Sequence, residues 1–179
     1  MQSSHRRRRS EREDESREKE FEERVLDLAR VTRVTKGGKR MRFRATVVIG
    51  DRKGRVGFAT EKGADVALAV GKANRVARKR LIRVPLVRET IPHETRAKFS
   101  AALVLLKPAP PGTGVKAGGA TRVVLELAGV PNIVGKQLGA ANKINNVKAV
   151  MEALKKLRKV EKKVEISEQG AEVVVKESN

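Results

Sequence analysis

The most regular pattern in the chain is an alternation of basic and apolar residues between positions 40 and 49. Arginines occupy alternate positions at the start of this segment, at Arg40, Arg42 and Arg44. The intervening and following alternate positions are apolar: Met41, Phe43, Ala45, Val47 and Ile49. Successive side chains of a β-strand point to opposite faces of its sheet. The pattern therefore predicts a half-buried strand with a row of arginines on its exposed face.

Glycine-containing turns flank this strand and join it to two neighbours. The preceding turn is Lys36-Gly37-Gly38-Lys39, where adjacent glycines permit positive backbone angles. The following turn, Gly50 to Gly54, leads to a further strand over Arg55–Thr60, so these two strands form a hairpin. Upstream, the imperfect alternation over Val25–Val34 predicts an early strand and leaves a helical start open.

The spacing of the apolar residues changes after Lys62-Gly63. Apolar residues then recur every three or four positions: Val66, Val70, Ala73, Ala77 and Leu81. This spacing predicts one amphipathic helix, whose cation-rich end suits the negative pole of the helix and a phosphate equally well. Strands packed on one helix make a small α+β unit.

The second half of the chain adds another mixture of strands and helices. A continuous apolar run from Ala101 to Leu106 predicts a buried strand, and a stripe over Ala120–Ala128 predicts a helix. Asn132–Leu138 is ambiguous and fits a short strand. A last helix is predicted to begin with Asn145 or Asn146 as its cap. Its apolar stripe consists of Val147, Val150, Met151, Leu154 and Leu157.

The two ends of the chain differ in composition from these two folded units, 21–84 and 85–160. Residues 1–20 have no large apolar residue except Met1, so they are predicted to form a disordered tail of mixed charge. Residues 161–179 are highly charged and are predicted to be loosely ordered. The predicted fold class is α+β.

The positive charge of the chain is concentrated between the tails. Lys and Arg number 41 and Asp and Glu 21, so the formal net charge is +20. Residues 1–24 hold eight residues of each sign, and residues 161–179 hold three Lys and five Glu. Removing these contributions, zero and −2, leaves +22 for residues 25–160. A region so basic repels itself unless a polyanion neutralises it, and nucleic acid is favoured over a merely solvated surface.

Missing and isolated residue types argue against several other functions. The chain has no Cys and two widely separated His, which disfavours disulfides, thiol nucleophiles and metal sites. Trp and Tyr are absent, and at least two of the four Phe fall in strand patterns, so a base-stacking surface is disfavoured. The carboxylates between residues 25 and 160 stand singly among basic residues. No catalytic residue, metal, cofactor or membrane span is therefore predicted.

A glycine-rich loop at residues 112–119 raises the question of nucleotide binding. The loop lacks the Gly-Lys-Ser/Thr ending of a phosphate-binding P-loop. The dinucleotide fingerprint also fails, because Ala117 stands where its third glycine is required. A helix start after this loop would suit an anion, including a phosphate of RNA, but a tight turn with close packing is the favoured interpretation.

The basic residues of the first unit are the strongest functional signal. Lys36 and Lys39 of the turn join the arginine row of the next strand, and Lys53 and Arg55 of the following hairpin are expected to extend the same surface. Guanidinium groups two residues apart on a strand suit bidentate contact with phosphates. Without aromatic residues between them, they are expected to bind the RNA backbone rather than to read its bases.

Ordered sequence blocks resemble the bacterial-type family of ribosomal small-subunit protein five. The blocks in the first half are Val34–Phe43, Val47–Phe58 and Ile91–Glu94. Those in the second half are Leu105–Ala109, Gly112–Val115, Ala117–Ala120 and Val124–Gly129. The order and spacing of these blocks match over roughly residues 22–158, which is far more specific than any single block.

The resemblance implies a fold and a set of partners. The first unit would have a double-stranded-RNA-binding-like fold, and the second a compact β-α-β-α fold shared with some small-molecule kinases. The turn Lys36-Gly37-Gly38 would approach small-subunit ribosomal RNA near the decoding region, where spectinomycin resistance arises. Gly114 and Arg122 would match positions that contact ribosomal protein four and affect decoding accuracy.

The resemblance also implies a location and further partners. The further partners are ribosomal protein eight and messenger RNA, which the protein would meet near the channel through which messenger RNA enters the ribosome. The chain is then expected to be a non-enzymatic structural protein on cytoplasmic ribosomes, away from membranes, with an organellar ribosome left open.

Two segments depart from the family pattern. The family commonly has Asn-Pro-Ile-Asn where this chain has Asn142-Lys143-Ile144-Asn145, so a cation replaces a proline. The family's Gly-x-Gly-Lys-Ala corresponds here to Ala59-Thr60-Glu61-Lys62-Gly63-Ala64. The resemblance adds four residues to the expected RNA-binding set: Lys62, Asn142, Lys143 and Asn145.

Two functions of other kinds stay open as alternatives. The unit at 25–83 alone fits a free double-stranded-RNA-binding regulator, which would bind arbitrary duplexes with a steep salt dependence. The fold implied for the second unit fits a small-molecule kinase, although the chain has no serine-rich phosphate loop.

Overall fold

Each of the two units forms a four-stranded sheet packed against helices. The computed structural model describes residues 20–158 of the 179-residue chain. The strands are β1 (Glu22–Thr35), β2 (Gly38–Gly50), β3 (Arg55–Gly63), β4 (Ile82–Arg83), β5 (Thr95–Phe99), β6 (Ala102–Pro108), β7 (Val115–Lys116) and β8 (Ile133–Gln137). The helices are α1 (Val66–Lys79), α2 (Gly119–Ala128) and α3 (Lys143–Lys155). The α+β class is confirmed, and the predicted tails, 1–20 and 161–179, lie outside the described residues except for Glu20.

The first sheet has the strand order β1-β2-β3-β4, with every neighbouring pair antiparallel. Helix α1 covers one face of this sheet and begins at Asp65, whose carboxylate accepts the N–H of Val66 at 2.8 Å. The core between them consists of Ala45, Val47, Ile49, Ala59, Ala69, Ala73 and Ala77. The small alanine side chains of α1 let the helix lie close to the sheet. The predicted succession of strands, turns and one helix is confirmed, but β4, which follows the helix, was not predicted. The segment Val25–Val34 is strand throughout, without the helical start that the sequence left open.

The hairpin of β1 and β2 extends beyond the rest of the first sheet. Strand β3 pairs with β2 only from Gly50 back to Phe43, so the hairpin is two-stranded from there to its turn. We call residues 30–42 the basic arm. Met41, predicted to share the buried face with Phe43, is 52% exposed. That prediction is wrong because Met41 lies beyond the last β3 pair and outside the α1 core.

The second sheet has the strand order β5-β6-β8-β7. Strands β5, β6 and β8 are antiparallel to their neighbours, whereas β7 runs parallel to β8. The predicted order of strand, helix, strand and helix corresponds to β6, α2, β8 and α3. Two short strands, β5 and β7, were not predicted. Strand β6 is fully buried on one face only, because its alternate residues Leu103 and Leu105 are half-buried.

Helix α3 begins three or four residues before its predicted start. Its cap is Asn142, whose side-chain oxygen accepts the N–H of Ile144 at 3.0 Å and of Asn145 at 3.3 Å. The prediction of Asn145 or Asn146 as the cap is wrong, because only Asn142 combines extended backbone with amides in reach. Asn146 is instead buried and donates to the carbonyl of Ala140 at 3.0 Å.

The two units share one hydrophobic core, to which Val48 of the first sheet contributes together with α2 and α3. The turn between β2 and β3 docks on the end of α2. The N–H of Arg52 donates to the carbonyl of Leu127 at 3.0 Å, and the N–H of Gly54 to that of Ala128 at 2.9 Å. These bonds satisfy two of the carbonyls that a helix leaves unpaired at its C-terminus. The first sheet is therefore held in a fixed position against the second unit.

Candidate nucleic-acid interface

The basic arm carries six cations and no acidic residue. All six are exposed: Arg30, Arg33, Lys36, Lys39, Arg40 and Arg42. None of them forms an ion pair with any residue of the described part of the chain, 20–158. The arm is thus a projecting two-stranded ribbon whose charge is left for a partner to neutralise.

Strand register places like charges directly opposite each other on one face of the sheet. Arg33 of β1 faces Arg40 of β2, and Arg44 of β2 faces Lys62 of β3. Like charges in directly opposite positions destabilise a sheet. A polyanion laid across the face would convert this repulsion into attraction, and phosphates of RNA have the charge and the acceptor geometry for it.

One carboxylate ties this surface to the second unit. Asp27 of β1 accepts from Arg44 Nη2 at 3.3 Å and lies 3.9 Å from Lys143 Nζ at the start of α3. Arg44 is therefore half-buried in an ion pair, whereas the sequence placed it on a fully exposed row. We call the resulting surface the basic face; its members are Arg40, Arg42, Arg44, Lys62 and Lys143. Asn142 and Asn145 lie in the first turn of α3 beside it.

The tip of the basic arm is open on all sides. Lys36 and Gly37 are the two turn residues, since Thr35 pairs with Gly38. A β-carbon added at Gly37 or Gly38 would meet no atom within 4 Å. Val34, beside the turn, is 71% exposed. The tip therefore has room for close approach of another molecule, and only Gly38, with φ +143°, needs glycine for its backbone.

Lys53 and Arg55 do not extend the basic face. They follow the turn at the other end of the 13-residue strand β2, which places them about 40 Å from the tip of the arm. Arg55 is engaged internally, with Nε 2.5 Å from Asp51, Nη2 2.7 Å from Glu20, and its guanidinium 5.0 Å from the ring centre of Phe21. The expectation of one continuous surface is wrong because β2 separates the two turns.

Asp51 organises this second turn. Its carboxylate, 1% exposed, accepts the backbone N–H groups of Lys53 at 2.8 Å and Arg55 at 2.9 Å. Burial by itself raises the pKa of Asp51. The hydrogen bonds from the Arg55 side chain and from the two amides outweigh burial and hold the pKa below its ordinary value of 3.8. This end of the hairpin is thus a charged but internally satisfied structure.

The residues expected to contact a neighbouring protein lie near that same turn. Gly114 (φ +72°) precedes β7, and Arg122 of α2 donates to Glu126 at 2.7 Å. The hydrogen bond to Arg122 is the main cause of a lowered pKa of Glu126. Val115 and Glu126, adjacent to this pair, line a groove of about 390 Å³ together with Arg52, Gly129, Val130 and Pro131. Gly114 and Arg122 do not line this groove themselves; Gly114 precedes the lining residue Val115, and Arg122 bonds to the lining residue Glu126.

Sequence reasoning missed two residues of the arm, Arg30 and Arg33. These two arginines stand three residues apart and so lie on opposite faces of β1, where they form no row of alternate cations. The signal that would have found them is the glycine turn: counting back from Thr35 opposite Gly38 places Arg33 opposite Arg40.

No group of three or more His, Cys, Asp or Glu within 20–158 is arranged to hold a metal ion.

None of the helices described over these residues has the length and apolar character needed to cross a lipid bilayer. The fold and the basic surfaces define the class as a two-unit α+β protein that binds a polyanion. Residues 21–85 match the family model described as ribosomal protein S5, N-terminal domain, and residues 97–169 the one described as ribosomal protein S5, C-terminal domain. The chain belongs to the ribosomal protein S5 family. It is a small-subunit ribosomal protein that binds ribosomal RNA and other ribosomal proteins.

Proposed function

We propose that the basic arm and the basic face hold this protein on small-subunit ribosomal RNA through the phosphate backbone. The like-charged pair of Arg33 with Arg40 carries this proposal, because neither arginine has a carboxylate partner within residues 20–158. Lys62 stands opposite Arg44, whose charge Asp27 already offsets. Such pairs weaken the free protein, and a phosphate between the partners would relieve the repulsion. No aromatic side chain lies in the arm, so the contact is to backbone shape rather than to bases.

Asn142, Lys143 and Asn145 contribute to the same RNA contact from the second unit. Asp27, paired with Arg44 and 3.9 Å from Lys143, lies between the sheet and the start of α3. RNA lying on the basic face would therefore touch both units at once. Lys53, at the other turn, is exposed, and its contact with RNA is a separate prediction.

A finer role follows from the family resemblance and the groove at the other end. We infer that the groove beside Gly114 and Arg122 receives ribosomal protein four, and that this contact supports translational accuracy. Ribosomal protein eight, and messenger RNA near the channel by which it enters a cytoplasmic small subunit, complete the proposed partners. Arg122→Ala is expected to raise stop-codon readthrough in cells, because it removes one of the two arginine partners of Glu126 at the groove and leaves only Arg24. Unchanged readthrough would show that the groove does not support translational accuracy.

RNA contact by the arm is tested with Arg40→Gln and Arg42→Gln in one chain. Both side chains are exposed and unpaired within residues 20–158, so thermal unfolding should stay as in the wild type. Binding to a fragment of small-subunit ribosomal RNA should weaken, and the slope of log affinity against log salt should flatten by about two. Arg44 is left unchanged because its ion pair with Asp27 would confuse stability with binding.

The matched control removes two cations elsewhere, with Lys155→Gln and Lys156→Gln at the end of α3. Both are exposed, and this variant should keep the wild-type salt slope. An unchanged slope in the arm variant would show that the arm does not meet phosphate. Equal affinity of the wild type for an arbitrary RNA duplex would instead favour the free double-stranded-RNA-binding regulator.

A further inference from the structure

A second basic surface lies on α1, on the side that faces away from the sheet. The inner side of this helix is formed by the buried residues Ala69, Ala73 and Ala77. The outer side carries exposed residues at helical spacing: Leu68, Lys72, Arg75 and Lys79. Steps of four, three and four residues keep side chains on one side of a helix. We call these three cations the α1 stripe.

No carboxylate of residues 20–158 forms an ion pair with the α1 stripe; Glu23 contacts the helix only at Asn74. Residues 66–83 contain no Asp or Glu, and none of the three cations forms an ion pair within the part of the chain that is described. Arg75 and Lys79 stand four residues apart, where like charges on a helix repel each other. The favourable effect of a cation near the helix C-terminus is confined to the last turn, which includes Lys79 but neither Lys72 nor Arg75. Helix stability alone therefore does not explain the stripe.

The stripe and the basic face point in opposite directions. Helix α1 packs on the face of β2 that carries Ala45 and Val47. Arg40, Arg42 and Arg44 occupy the alternate positions of β2 and so project from the other face. The whole sheet and a helix of about 10 Å diameter lie between the two surfaces. A single RNA segment lying on the basic face cannot reach the α1 stripe from there.

We propose that the first unit holds two separate RNA segments, one on the basic face and a second on the α1 stripe. This inference rests on the proposed function for the basic face and adds a partner for the opposite side. The second ligand is RNA backbone rather than protein, because the stripe offers cations and one apolar residue, Leu68. Protein interfaces are instead depleted in charge and enriched in aromatic residues at their centre. The unit would thus act as a spacer that fixes the distance between two RNA segments.

The absence of cysteine from the chain allows a direct test. Single cysteines at exposed apolar positions, Leu68→Cys beside the stripe and Val34→Cys on the arm, would each carry a tethered iron chelate that releases hydroxyl radicals. The full-length chains are assembled into small subunits, and the RNA strand cuts are mapped. We expect cuts from both positions, in two sets of nucleotides that do not overlap, and none from the cysteine-free chain.

The possible results separate this inference from the proposed function. Cuts from Val34→Cys without cuts from Leu68→Cys would overturn the second RNA site and leave the first in place. Overlapping sets would also overturn it, because one RNA segment would then serve both positions. If neither position produced cuts, the proposed function would be overturned as well. Crosslinking of Leu68→Cys to a protein alone would assign the stripe to a protein partner and end the proposal.

A substitution experiment supplies an independent measurement. Replacing Lys72, Arg75 and Lys79 with Gln should lower the salt slope of binding to small-subunit RNA by about three. The cuts made from Val34→Cys should persist in the same chain, because the basic arm that carries Val34 is intact. A charge-matched control, with Lys98, Lys155 and Lys156 changed to Gln, should keep the wild-type slope. An equal loss of slope in both variants would show that the stripe acts only through the overall net charge of the protein, which would overturn the proposal.

Discussion

The two ends of the β1–β2 strand pair use arginine for opposite purposes. At the turn that follows β2, each arginine has a carboxylate partner: Arg55 with Asp51 at 2.5 Å, Arg52 with Glu22 at 2.6 Å and Arg24 with Glu126 at 3.1 Å. At the basic arm, none of the exposed cations has an ion-pair partner within residues 20–158. The chemistry of the side chain is the same at both ends, and the neighbouring acids differ.

This difference shows what marks a nucleic-acid surface in a basic protein. The net charge of +20 indicates that the protein binds a polyanion, but it does not indicate where on the surface the polyanion binds. Position is decided by which cations remain once the internal ion pairs have formed. The arginines near the turn that follows β2 therefore stabilise the fold, whereas the cations of the basic arm are available to bind RNA.

The largest expected effect on stability comes from substituting Gly50, at the turn that follows β2, and it contrasts with the effect of substituting Gly37 at the tip of the basic arm. A β-carbon at Gly50 would overlap the backbone of Leu127, where the turn docks on α2, so Gly50→Val should reduce the free energy of unfolding by about 4 kcal/mol or more. Gly37 at the arm tip meets nothing, and Gly37→Ala should change stability by less than about 0.5 kcal/mol. Urea denaturation measures both. Equal stability of the two variants would mean that the docking of the turn does not matter for folding.

A smaller effect on stability is expected from Asp51→Asn, at the turn that follows β2. The amide has a single oxygen, so it cannot accept both from the two backbone N–H groups and from Arg55 Nε, as the carboxylate does. The lost charge-assisted bond should cost about 2 kcal/mol at neutral pH. Because folding lowers the pKa of Asp51, its contribution is complete above the ordinary value of 3.8 and disappears as pH falls through the lower folded-state pKa. The stability difference between wild type and variant should therefore close in acid.

Urea denaturation from about pH 7 down to about pH 3 would follow this difference. A constant difference at every pH would show that the Asp51 charge has no part in it. The arm provides the contrast, since Arg40→Gln removes a charge that lies opposite Arg33 and should not lower stability at any pH.

Local sequence was sufficient to predict the paired strands, because their signals are contained within a few residues. The alternation from Arg40 to Ile49 gave β2, and the adjacent glycines gave the tip of the hairpin. Where both signals act together, as at Arg40 and Arg42, the exposed cations were placed correctly. Met41 was misplaced because alternation cannot tell where the covering helix ends.

Long-range contacts decided the rest, and no pattern in the sequence reports them. Arg55 looked like Arg42 until the fold brought Glu20 and Phe21 beside it. Lys143 joined the basic face only because Asp27, 116 positions earlier in the numbering, lies near α3. Only part of the α1 stripe was visible in the predicted cation-rich helix end, and its direction relative to the arm depends on which face of the sheet the helix covers.

The smallest expected effect concerns Lys143, where the family commonly has proline. Lys143 is the first residue of α3, and Asn142 before it has φ −63° and ψ 115°, which a following proline tolerates. The cap oxygen of Asn142 binds the N–H groups of Ile144 and Asn145, so the N–H of Lys143 is not used by the cap.

Lys143→Pro should therefore change stability by no more than about 0.5 kcal/mol, since the fixed φ fits the helix start. It should flatten the salt slope of RNA binding by about one, as Lys143→Gln should also do, because each removes one cation from the basic face. If only the proline variant altered RNA binding, the helix start rather than the charge would be responsible. If neither did, the 3.9 Å approach to Asp27 would describe a surface ion pair outside the RNA contact, and the basic face would end at the first unit.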